Sequence, residues 1–332
     1  MKHRTGRIAL LLVALAVLVT GVAVPASAGT PTRKLAMGVS LMPYDDMNHL
    51  DQFIADTGRK PALYTLWSAW GNASKAFPTS LLQQLDARPG AGGRIMPVIM
   101  WEPVDPNNLE GTQYLYSKII AGNHDAYLKQ WAQDAKAYGK KVLVRAFPEM
   151  NGYWWPWGTQ FRTNSPAKFI KAWQHVWNVV RGEGATNVRF LWAPFRECNG
   201  CDTMRSVWPG GKYVDFAGFS TFNWGGWMKW KEMKPLFKTS YTALTAITAK
   251  PIIVTETGSI SAKADGSDKA AWIANGYPAV YTAYPQIRGI LYFNIDVTGK
   301  DERDWRLTVP TNKPLLAYKN LLTKPKFQGV IS

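Results

Sequence analysis

From Lys34 onward, short apolar runs rich in β-branched and aromatic residues alternate with segments whose apolar residues recur every three or four positions. The runs are "KLAMGVSLM" from 34, "PALYTLWSAW" from 61, "GRIMPVIMWEP" from 93, "KKVLVRAFPE" from 140, "NVRFLWAPF" from 187, "VDFAGFSTFNWG" from 214, "KPIIVTETG" from 250 and "IRGILYFNID" from 287. Strands alternating with helices predict βαβ units and a parallel sheet. Eight such units over roughly 300 residues fit one (β/α)8 TIM barrel spanning residues 29–332. The clearest helix opens at Ser165-Pro166, an N-cap followed by proline in the first turn. Its apolar positions Phe169, Trp173, Val176, Trp177 and Val180 fall on one face, which makes Trp173 and Trp177 core residues.

The pattern fails in two places. Residues 1–28 hold basic Lys2, Arg4 and Arg7, an apolar run from Ile8 to Val24, and Ala26-Ser27-Ala28, the sequence of a cleavable secretory signal. An uncleaved anchor is the alternative, but the run is short for a membrane span. The expectation is a secreted, extracellular protein with no stable membrane span after processing. The second failure is "VLVRAFPEMNGYWWPWG", residues 142–158, where Gly152, Pro156 and Gly158 break any helical or strand period around Trp154, Trp155 and Trp157. These aromatics are either core or the stacking floor of a sugar-binding cleft.

Charge and cysteines add little to this picture. The formal charge of +16 favours anionic surroundings. No nucleic-acid motif accompanies it, so an anionic polysaccharide or cell envelope is at least as good a partner as nucleic acid. In an oxidising compartment Cys198 and Cys201 are expected to form a disulfide stapling the loop after the fifth strand. A redox pair is the alternative, although this CxxC falls in a Pro/Gly/Asn-rich loop rather than at a helix start. The histidines have no metal-ligand spacing, and neither metal nor cofactor is expected.

Barrel chemistry gathers at the C-terminal ends of the strands. Glu149 ends the fourth run and Glu256 the seventh. Regular pleating would put Arg145, Phe147 and Glu149 on one face and Ile252, Val254 and Glu256 on another, so that the two glutamates meet over the mouth. Paired carboxylates are the means by which most glycosidases cut a sugar acetal. On this reading a partly buried Glu149 is the protonated partner, and Glu256 stays ionised through hydrogen bonds and positive neighbours. Trp101 and Glu102, at the end of the third run, offer a platform and a polar contact.

"RAFPEMNGYWWPWG" resembles the Arg-Pro-Phe-His-Glu-Met-Asn-Gly…Trp-Tyr-Pro-Trp-Gly signature of glycoside hydrolase family 26, a family of β-mannanases with some β-1,3-xylanases and β-1,3-1,4-glucanases. "GATNVRFLWAPF", "YVDFAGFSTFNWG" and "KPIIVTETGS" are similar to the family's fifth, sixth and seventh strand segments, in order. The resemblance implies a retaining hydrolase acting on a β-linked polysaccharide or oligosaccharide without cofactor, with Glu149 as acid/base and Glu256 as nucleophile. It makes Trp154, Trp155, Trp157, Asn151, Phe222, Asn223 and Trp224 candidates to bind the sugar. Two positions depart from the pattern. Pro148 stands where the family has histidine and Phe222 where it has tyrosine, and both family residues serve the sugar before the cleavage point. Altered specificity is therefore expected, with a catalytically weak carbohydrate-binding barrel as the alternative. Arg145 could compensate by pairing with a carboxylate.

Overall fold

The computed structural model describes residues 33–71, 76–225, 228–301 and 303–331; the leader expected at 1–28 lies outside them. In chain order the elements are β1 (Ala36–Ser40), α1 (Met47–Thr57), β2 (Leu63–Ala69), α2 (Thr79–Asp86), β3 (Met96–Glu102), α3 (Tyr116–Ile120), α4 (Asp125–Tyr138) and β4 (Val142–Ala146). They continue with α5 (Pro166–Gly182), β5 (Val188–Trp192), β6 (Phe216–Asn223), α6 (Met233–Thr245), β7 (Ile252–Ser259), α7 (Ser267–Ala283), β8 (Ile287–Phe293), α8 (Thr298–Asp301) and α9 (Lys313–Leu322). Every apolar run singled out in the sequence carries one strand. The strands pair in parallel in sequence order, and β1 closes on β8 from Ala36↔Gly289 to Ser40↔Phe293. The protein is a (β/α)8 barrel.

Local sequence explains the outer helices. The side chain of Asp46 accepts from the Asn48 amide at the start of α1, and Ser165 accepts from Lys168 at the start of α5. Gly139, left-handed at φ 76°, ends α4. Two apolar layers then follow from strand alternation. Ala36, Leu63, Met96, Val98, Leu143, Leu191, Ala193, Ile253 and Leu291 fill the barrel interior. The opposite strand faces pack on the helices, where Trp131 of α4 and Trp173 of α5 are buried. Each such side chain contributes on the order of 2–3 kcal/mol from apolar burial. Trp177 is only partly buried, against Tyr213 and Arg181.

Candidate active site

Glu149 reaches the barrel mouth because β4 stops being regular. Leu143 faces the interior, so strict alternation would send Arg145, Phe147 and Glu149 inward together. Instead Phe147 and Glu149 take left-handed φ values of 49° and 55°. The turn carries the Phe147 ring outward, where it is fully buried among Trp70, Tyr116, Phe169 and Trp173. Such a conformation costs a β-bearing residue of order 1 kcal/mol, so the surroundings must hold it. They do so on both sides: the Phe147 amide donates to the Trp101 carbonyl at 3.1 Å, and the Glu149 amide donates to the Ala193 carbonyl at 3.2 Å. The expected shared face of Arg145, Phe147 and Glu149 is thus corrected; only Arg145 and Glu149 turn toward the mouth.

Glu256 depends on a second irregularity. In β7, Ile253 lies in the interior layer, whereas Ile252 and Val254 pack on the helices, opposite to the expected face. The pairing of β6 with β7 runs Phe219↔Val254 and then Ser220↔Glu256, which leaves Thr255 looped out of register. One extra residue reverses the facing of everything after it. Glu256 is therefore inward because of the bulge and despite the pleat.

Arg145 links the two carboxylates. Fully buried, it donates from Nη1 to Glu256 Oε2 at 2.6 Å, and its Nη2 lies 4.0 Å from Glu149 Oε1. That second approach is an ion pair too long to be a hydrogen bond. Glu149 Oε1 accepts from Ser220 Oγ at 2.5 Å, and its Oε2 accepts from the indoles of Trp154 at 2.9 Å and Trp155 at 3.2 Å. Burial pushes the Glu256 carboxyl up, Arg145 pulls it down, and the neighbouring Glu149 adds to the rise. Burial thus weighs on Glu256, the partner expected to be the readily ionised one.

A third carboxyl joins them. Glu102, at the end of β3, accepts from the Trp67 indole at 2.8 Å. Its burial, only partly offset by that bond, raises its pKa to about 7. Burial first, then the carboxylates of Glu256 and Glu102, hold the Tyr44 phenol well above its ordinary range. Tyr44, Trp67 and Ser220 were not singled out in the sequence. Inward parity on β2 and β6 could have found Trp67 and Ser220, but no local signal marks Tyr44.

The other expected sugar contacts divide. Trp154 and Trp155 stand at the mouth through their bonds to Glu149, and Phe222 and Trp224 belong to the apolar cluster that also packs Trp154. Phe222 packs against Trp305, Phe293 and Trp224 with centroids 5.1, 5.3 and 5.4 Å apart, and Trp155 is 39% exposed. Trp101, Trp157, Asn151 and Asn223 are corrections. Trp101 faces the helices, stacked 4.2 Å from Trp131 with its indole on the Tyr127 hydroxyl. Trp157 is buried beneath Trp155 and donates to the Pro148 carbonyl. Asn151 binds the backbone of Phe195 and Asp202, and Asn223 binds Ser259 and Lys231. These bonds engage both the Nδ2 and the Oδ1 of each amide, which gives both side chains a structural role. Cys198 and Cys201 form the expected disulfide, packed into the apolar cluster of Phe195, Phe222 and Trp305.

Comparison with known proteins gives a consistent set of similarities. The model of the family described as glycosyl hydrolase family 26 matches residues 107–284. Endoglucanase H of Acetivibrio thermocellus is 33% identical over 233 residues, 68% of this chain; the chain spans about a quarter of that protein, 24%. Among solved structures, a family 26 β-mannanase from Bacteroides ovatus superposes with a TM-score of 0.64 at 17% identity, covering 90% of this chain and 91% of that one. The YdhT protein of Bacillus subtilis gives 0.62 at 20% identity, over 90% and 87%. At these identities the structural likenesses speak for the fold.

Proposed function

Because the chain belongs to glycosyl hydrolase family 26, we propose that it cleaves a β-linked polysaccharide by double displacement, with Glu149 as acid/base and Glu256 as nucleophile. The observation that carries this reading is the single buried guanidinium of Arg145, bonded to Glu256 and 4.0 Å from Glu149, beneath a mouth walled by indoles. In the first step Glu149 gives its proton to the leaving glycosidic oxygen. Glu256 attacks the anomeric carbon, the bond to the departing sugar breaks, and a glycosyl ester forms on Glu256. Glu149, now a carboxylate, takes a proton from water as that water attacks the same carbon and frees Glu256. Ser220, Trp154 and Trp155 fix the orientation of Glu149 throughout, and Arg145 stabilises the Glu256 carboxylate as it leaves.

The sugar preference is proposed to depart from that of a plain mannanase. Proline offers no donor at 148 and phenylalanine no hydroxyl at 222, so a sugar that needs those partners leaves its own hydroxyls unpaired. The 33% identity to an endoglucanase makes a β-linked glucan the first neutral polymer to try. The amino-terminal sequence supports export, with action on glycans outside the cell. Mature secreted protein should begin near Gly29; finding residues 1–28 still attached would overturn the export reading.

Activity should be measured on glucans, mannans, xylans and acidic glycans, following the anomeric protons of the first products by NMR. Retained configuration is expected, and Glu149→Ala or Glu256→Ala should each lose about 10³-fold or more. Inverted products would overturn retention, and an active Glu256→Ala would overturn the assignment. Galactomannan cleaved as well as every other glycan would show the two departures to be neutral. Glycan binding without turnover would leave a carbohydrate-binding barrel in place of an enzyme.

A further inference from the structure

Arg196 follows β5 at the barrel mouth, its amide donating to the Ser220 carbonyl at 3.0 Å. Ser220 is the residue whose hydroxyl binds Glu149. The Arg196 guanidinium stands 5.4 Å from the Phe195 ring, and Phe195 packs edge-on against Trp154 at 4.9 Å. Trp154 in turn donates to Glu149. A cation thus lies one ring beyond the indole that touches the proposed acid/base.

This cation has no acid of its own among the described residues. Among the described residues, its single hydrogen bond is a 3.5 Å contact from Nη1 to the Glu197 carbonyl, and its buried Nε has no partner. The carboxylates nearest in sequence are engaged elsewhere: Glu197 accepts from the Met204 amide at 3.0 Å, and Asp202 accepts from Thr159 at 2.5 Å. Arg181 and Arg189 by contrast share Asp215. Burial pushes the Arg196 pKa down. The ring of Phe195 favours the guanidinium weakly but satisfies none of its N–H donors. A partly desolvated arginine with open donors is a poor structural element and a good receptor for a carboxylate, whose two oxygens match the guanidinium fork.

The loop is also built to hold this arrangement. The Cys198–Cys201 disulfide closes it immediately after Glu197. Gln160 bonds the Gly200 carbonyl at 2.8 Å, and Asn151 ties both Phe195 and Asp202 to the loop after β4. Little ordering remains to be done when a ligand arrives.

We propose that Arg196 binds a carboxylate carried by the substrate, so that the cleft takes an acidic, uronate-bearing β-glycan. The inference rests on the hydrolase reading above for its substrate, though its test needs no turnover. Glu256→Ala protein is titrated by affinity electrophoresis in physiological salt with β-1,4-linked glucuronan, mannuronan and glucuronoxylan. Each polymer is paired with its carboxyl-reduced counterpart, which keeps backbone and linkage and loses only the charge. At least one acidic polymer is expected to bind about ten-fold tighter than its reduced form. Adding Arg196→Met should abolish that preference and leave binding of the reduced form within about two-fold, while Lys319→Met, removing an exposed charge on α9, should preserve it. A preference that survives Arg196→Met, equal loss on both forms, equal loss in the Lys319 control, or no preference on any of the three polymers overturns the proposal. Failure of the hydrolase reading would appear separately, as absence of glycan turnover by the unsubstituted protein.

Discussion

Arg145 shows how one side chain sets the chemistry of its neighbours. It is buried beside Glu256 at 2.6 Å, and its Nε and Nη2 make no hydrogen bond among the described residues. The unspent donors keep its positive field directed at the two carboxylates. Burial raises Glu256, and the guanidinium offsets part of that rise. Removing the cation should therefore let the Glu256 pKa climb further. Glu256 in its proposed role as nucleophile must be ionised, so in Arg145→Met the acid limb of the pH profile of kcat/KM should move to higher pH by about one unit or more, with Arg145→Lys recovering part of the shift. An acid limb that stays in place while the rate falls would mean that Arg145 is packing rather than electrostatics.

At the level of elements, the active geometry rests on departures from regular strands. The bulge at Thr255 lies across from β6, where Gly218 pairs with Ile253 just before the register changes. A Cβ at Gly218 would stand 2.3 Å from the Ile253 carbonyl oxygen, so the backbones of β6 and β7 must separate to admit one. Gly218→Ala should destabilise the barrel by about 1–3 kcal/mol and lower kcat at least ten-fold by displacing Glu256. Unchanged melting and kcat would show that the pairing absorbs the strain. The same irregularities explain what could be read in the sequence. Strand positions, barrel closure, the two mouth glutamates and the disulfide follow from apolar periodicity, strand-end position and compartment. The facing of Phe147, Ile252 and Val254 did not follow, because a left-handed residue or a looped-out threonine leaves no trace in an alternating pattern. Trp101 misled for a related reason, since a tryptophan at a strand end can turn either to the mouth or to the helices, and Trp157 lies in a turn-rich loop after β4 where no period reports which way a ring faces. Asn151 and Asn223 were indistinguishable from ligand contacts until their backbone partners were seen.

For the whole molecule, gathering Glu102, Glu149 and Glu256 around one arginine ties function to stability. Glu102 has a folded pKa of about 7 against an ordinary 4.5, because burial outweighs the Trp67 hydrogen bond. Between those values the folded state holds a proton that the unfolded chain has released. The contribution of this group is therefore fully present below pH 4.5 and is lost as pH rises through 7, at most about 3 kcal/mol. Glu256, also raised, acts in the same direction. Opposing groups are Asp86, half-buried but bonded to Lys140, Tyr138 and Arg94, which is held below its ordinary value and costs stability only as pH falls, and His124 and Lys269, which burial holds below their ordinary values so that they add stability as pH rises toward 6.5 and above about 8. Urea unfolding should accordingly show stability declining from about pH 5 to pH 8. Glu102→Gln cannot ionise there but can still accept from Trp67, so it should flatten much of that decline and exceed the unsubstituted protein at pH 8 while matching it near pH 4.5. Parallel curves for the two proteins would show that Glu102 is solvated or paired well enough to ionise without cost, and that the mouth tolerates three carboxylates at neutral pH.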